Sequence, residues 1–185
     1  MCLLLLLTPL VASATTATTT ISSTISPVIS LLSSNGTVNL NATPATGGVQ
    51  TIASDTVTVS TNDSAGYTLT LGETTSATAL TSGGNTIAAS SGSQASPVAE
   101  TASSWGYRVD SLGGFGAGPT SAASNQAISS TKFAAIPASG SPNTLVTTSS
   151  TASGATTTVW YGLAVNTSVP SGTYSNSVTY TATAN

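Results

Sequence analysis

The sequence predicts an all-β protein: an antiparallel β-sandwich with long Gly/Ser-rich loops and an extended N-terminal arm. Three observations carry this expectation. Apolar residues recur at alternate positions in one segment after another, which is the period of a half-buried strand. No segment of convincing length shows the 3.6-residue period of a helix. Clusters of Gly, Pro, Asn and Ser separate the alternating segments, as turns between short strands require. At 185 residues the chain is long enough to bury a core as one domain.

The opening MCLLLLLTPLVASA carries an apolar run from Leu3 to Leu7, continued by Leu10 and Val11 and closed by Ala12-Ser13-Ala14. Residues 1–14 read as a secretory signal peptide, although no Lys or Arg precedes the apolar run; the alternative is a buried N-terminal core segment. The run falls short of the roughly 20 apolar residues of a membrane span, so no span is expected in the mature chain. Cys2 is the only cysteine. Cleavage after Ala14 would leave neither a disulfide nor a thiol metal site.

Residues 15–27 are rich in Thr and Ser and read as a flexible arm, and residues 28–185 as the sandwich domain. Pro27 precedes a first strand over Val28, Ile29, Leu31 and Leu32. Val38, Leu40 and Ala42 then alternate with Asn39 and Asn41, ending at Pro44. The clearest hairpin is DTVTVSTNDSAGYTLTLGE: Val57 and Val59 lead into Asn62–Gly66, and Tyr67, Leu69 and Leu71 lead out. From Thr74 to about Ala102 the composition suits loops or weak edge strands. In SSWGYRVDS, Trp105, Tyr107 and Val109 share one face with Arg108 opposite. The strongest signal comes last: Val159, Tyr161, Leu163 and Val165 alternate with apolar neighbours, as in a central strand covered on both sides. Pro170-Ser171-Gly172 turns the chain into a returning strand with Tyr174, Val178, Tyr180 and Ala182.

Charge narrows the function classes. The chain has two basic residues, five acidic ones and no histidine, for a net charge of -3. Arg108 and Lys132 alone cannot neutralise a phosphate backbone, so no nucleic-acid partner is expected. Without histidine or a mature cysteine there is no catalytic triad, Cys-His pair or imidazole ligand. No enzyme, cofactor or metal is therefore expected. A calcium site joining Asp63 to Asp55 or Asp110 lacks any close Asp-x-Asp spacing. Lys132 is the only candidate for an isopeptide crosslink to an Asn, with a solvated amine as the alternative. Few ionisable groups imply stability that changes little between about pH 4 and about pH 9. Asn35, Asn41, Asn62 and Asn166 head Asn-x-Ser/Thr sequons, which are candidate glycosylation sites.

Some of these segments carry a resemblance. Val169 to Ala182, with its PSGTY turn and alternating strand, resembles the terminal hairpin of spore-coat-U-like and archaic chaperone-usher pilin domains and of WxL-type bacterial surface domains. STNDSAGYTLTL and SSWGYR resemble features of Thr/Ser/Asn-rich secreted surface proteins of small-genome bacteria. The chain departs from these in having no disulfide, and Trp160-Tyr161-Gly162-Leu163 is not a Trp-x-Leu motif. The resemblance implies an extracellular, Ig-like β-sandwich and, for the pilin branch, a subunit that exchanges an N-terminal strand with its neighbour. Ile21, Ile25, Val28 and Ile29 would then be donor-strand anchors; otherwise they begin the chain's own first strand or a loose leader. The leading expectation is thus a secreted cell-surface structural protein, a coat component or self-assembling filament subunit. The other is an adhesin or carbohydrate-binding module contacting glycan or cell wall, with Trp105, Tyr107 or Phe115 as a stacking platform.

Overall fold

The computed structural model describes residues 12–185, so the signal-peptide reading lies, up to Val11, outside the described residues. Those residues form twelve strands and no helix. Along the chain these are β1 Ile29–Ser33, β2 Val49–Thr61, β3 Tyr67–Glu73, β4 Leu80–Ser82, β5 Asn85–Ala89 and β6 Val98–Ala99. They continue with β7 Ser104–Arg108, β8 Ala123–Gln126, β9 Lys132–Phe133, β10 Asn143–Thr147, β11 Ala152–Val165 and β12 Val178–Ala184. The larger sheet has the order β1-β2-β11-β7-β5-β4, with β8 also on β2; the smaller has the order β10-β3-β12; β6 and β9 form a separate ribbon.

The alternation read from the sequence decides which side chains face inward. Val57 and Val59 of β2, Leu69 and Leu71 of β3 and Val159 of β11 are all fully buried in one cluster shared by the two sheets. β11 lies between β2 and β7, with Tyr161 opposite both Ala53 and Tyr107. Its other face is covered as well. The Phe133 ring lies against Gly162, filling the space a Cβ would occupy.

Two expectations change. Val57–Leu71 is not a hairpin: β2 pairs with β1 and β11, whereas β3 pairs with β10 and β12. Residues 62–66 carry the chain from one sheet to the other, and β11 and β12 likewise belong to different sheets. Alternation marks the buried face equally well whether a partner strand lies beside or across the core, so it cannot separate a hairpin from a crossing. Gly66 (φ +87°) is required at the first crossing, because a Cβ there would meet the Thr148 backbone. The pairing is also not wholly antiparallel, since β5 runs parallel to β7.

The segment 36–44 is a third difference. Val38, Leu40 and Ala42 are half-buried and Asn39 and Asn41 exposed, as the alternation requires, yet this stretch belongs to no strand. Ala45 makes an isolated parallel bridge to Asn166 at its end.

Candidate functional site

β1 and β12 are edge strands of the larger and the smaller sheet, and they approach each other along one side of the core without pairing. β12 pairs only with β3, which leaves its other edge free. Its inward residues Val178, Tyr180, Ala182 and Ala184 are only half-buried. On the facing sheet Leu31 of β1 sits opposite the fully buried Val59, yet keeps 38% of its surface exposed. Beside this seam opens a groove of about 940 Å³. Its floor includes Trp105, Tyr161 and Leu163, and its walls are the 36–44 segment, the connector over 169–177 and the start of β12. Such an edge, with unpaired backbone groups and uncovered apolar side chains, is the physical requirement for adding a strand.

Polar groups at the groove are held in place. The Tyr161 and Tyr180 hydroxyls lie 2.6 Å apart. Burial pushes both the Tyr161 and the Tyr180 phenols well above their ordinary range; both rings are neutral hydrogen-bonding groups at physiological pH. Asp55 accepts from the Ser33 and Ser34 hydroxyls and the Asn35 amide, tying the end of β1 to β2.

The four expected donor-strand anchors divide. Ile21 and Ile25 are 91% and 83% exposed on an arm, residues 12–28, that is exposed throughout. Val28 is exposed but fixed, its amide donating to Asn62 Oδ1. Ile29 belongs to the chain's own sheet as the first residue of β1, opposite Thr61. Asn62 also donates to the Ser26 carbonyl, so the arm leaves the domain at the Asn62 turn.

The three expected stacking residues require a correction. Trp105, Tyr107 and Phe115 are 4%, 0% and 3% exposed, which makes them core side chains and removes the exposed platform. Trp105 Nε1 donates to the Thr78 carbonyl, and Tyr107 donates to Gln94 and accepts from Asn143. The Phe115 ring meets Tyr107 edge to face at 5.5 Å. Arg108 lies over the same ring, 6.0 Å from its centroid, and its guanidinium donates to the Phe115, Gly116 and Ala117 carbonyls and pairs with Asp110 at 2.6 Å. Arg108 faces away from Trp105, as the alternation requires, and is 5% exposed because it organises the glycine-rich loop on that face. Only the alternation was legible; the fold-back of residues 115–117 had no local signal.

Sequence reasoning also missed two buried carboxyls. Glu73 faces the core at the end of β3 with neither oxygen hydrogen-bonded, and burial pushes it up to about 7. Glu100 accepts from Ser104 through Oε2 while Oε1 has no partner, and burial, offset in part by that bond, also pushes it up to about 7. The expected pH-independence of stability therefore needs revision. At Asp110, burial opposes ionisation, but bonds from Thr120 and Arg108 outweigh it and hold the carboxyl below its usual range.

The remaining candidates stand apart from one another. Asp55 and Asp110 are each engaged in the separate networks above, and Asp63 accepts from the Ala65 amide. No group of three or more possible metal-binding side chains occurs among the described residues. Among the sequons, Asn35, Asn41 and Asn62 are exposed, and Asn166 is half-buried with its side chain bonded to Ser168. Among the described residues no helix is long and apolar enough to cross a membrane. No family profile, curated protein or solved structure matches the chain.

Proposed function

We propose that this chain is a secreted, cell-surface structural protein with an Ig-like sandwich, a coat component or filament subunit that donates its N-terminal arm to a second copy. One observation carries the reading: a free β12 edge with a half-uncovered inner face occurs in the same chain as an exposed arm bearing apolar residues at Ile21 and Ile25. The spacing of that pair places both side chains on one face of an added strand, with Ser23 between them. Strand addition supplies backbone hydrogen bonds to the edge while alternate side chains fill the apolar gap. Donor and acceptor are different surfaces, so the contact is head-to-tail and does not close on itself in a pair. The adhesin alternative is less favoured by this observation, because Trp105, Tyr107 and Phe115 form no exposed aromatic platform.

The test compares the chain from Thr15 onward with one starting at Pro27, which retains β1, and with an Ile21→Asp, Ile25→Asp double variant. Size exclusion and negative-stain microscopy should show ladders or fibres for the first and monomers for the other two, with unchanged circular dichroism. Monomers in all three overturn the donor-strand reading.

A further inference from the structure

A second cavity lies on the opposite face of the larger sheet and is unrelated to the arm and groove. In β2, Gln50 and Ile52 alternate with Val49 and Thr51 and so point away from the groove side. They form one wall of a cavity of about 400 Å³, roofed by the stretch between Phe115 and Lys132. That volume sits at the small end of the roughly 300–1,000 Å³ common for ligand pockets.

Three features of its lining point to a ligand. Gln50 is 1% exposed; its Oε1 accepts from the Ser129 amide and hydroxyl, but its Nε2 donor is buried without a partner. An unmet buried donor is costly, and a ligand oxygen would satisfy it. Both cations of the chain, Arg108 and Lys132, line the same cavity. Arg108 is committed to Asp110 and the loop carbonyls, whereas Lys132 is exposed and makes no ion pair among the described residues. The remaining wall combines hydroxyl groups with the apolar surface of Ile52 and Phe115.

We propose that this cavity binds a carboxylate-bearing sugar, its carboxylate facing Lys132 and a ring oxygen or hydroxyl accepting from Gln50 Nε2. A neutral sugar meets the amide and the hydroxyls but leaves Lys132 unused; a simple anion meets Lys132 but not the buried amide. The combination selects a small acidic saccharide unit in a chain that is otherwise acidic overall.

The experiment is titration calorimetry and ligand-observed NMR on the chain from Thr15 onward. Glucuronic acid and N-acetylneuraminic acid are the probes, and glucose is the neutral control. Saturable binding of at least one acid is expected, about fivefold tighter than glucose and weakening as salt is raised. Lys132→Gln, an exposed change that leaves the fold intact, should remove that margin. Which acid binds distinguishes uronic from sialic sources. No saturable binding of either acid overturns the proposal, as does equal binding of acid and glucose or binding indifferent to Lys132→Gln. The Lys132 variant leaves the arm and groove untouched, so assembly and sugar binding fail separately.

Discussion

Arg108 shows how much a single charged residue does in a chain that has so few. Its guanidinium satisfies three carbonyls of the 115–117 loop and one carboxylate, all from a nearly buried position. Arg108→Leu would leave Asp110 without its counter-charge and the carbonyls without donors. The expected loss is about 3 kcal/mol in urea unfolding, the usual order for breaking a buried pair. Glu73 and Glu100 act in the opposite direction. Their folded values, about 7, lie above the unfolded value of about 4.5. The native state therefore holds more protons than the unfolded chain across that window, and stability falls as pH rises through it, levelling above about 7. For Glu100 alone the fall amounts to about 3 kcal/mol, or roughly 6–12 °C in Tm. Calorimetric scans across this range should show the decline, and Glu73→Gln with Glu100→Gln should flatten it. A flat profile for the unmodified chain would rule out carboxyls raised by burial in the native state. Asp110 contributes separately: its depressed carboxyl stabilises above its unfolded value, and that contribution disappears only in stronger acid.

At the scale of elements, β11 holds the molecule together, with its partners β2 and β7 and the Phe133 ring on its outer face. Gly162→Ala should force that ring to shift and cost about 1–3 kcal/mol, read as a lower urea midpoint with an unchanged slope. The same element marks how far the sequence could be read. The apolar positions of β11 announced a strand covered on both sides, and that is its position. Nothing in Val159–Val165 indicated that β12 would pair with β3 instead of folding back beside it. Likewise Val38, Leu40 and Ala42 were recognisable as a half-buried extended segment, but not as one lacking a strand partner. Period-2 patterning encodes facing; pairing is chosen by distant backbone groups. The candidate sites were less legible still. The groove forms from segments as far apart as residues 36–44 and β12, and the Gln50 cavity depends on an amide whose environment comes from residues 129–132. Only the exposed Ile21 and Ile25 stood out in advance, because apolar residues in a hydroxyl-rich stretch are visible without any fold.

Across the whole molecule, the sparse charge is distributed in a way that composition alone conceals. Arg108 is withdrawn into its loop, and Lys132 lies in β9 with its backbone paired to Ala99. For a protease that recognises basic side chains, the folded protein therefore offers one reachable recognition point, and the adjoining peptide bond is held in a strand ribbon. Cleavage by trypsin-like enzymes would require that ribbon to open first, so the same scarcity of lysine and arginine that gives the chain little means to neutralise phosphates also leaves such enzymes little to recognise.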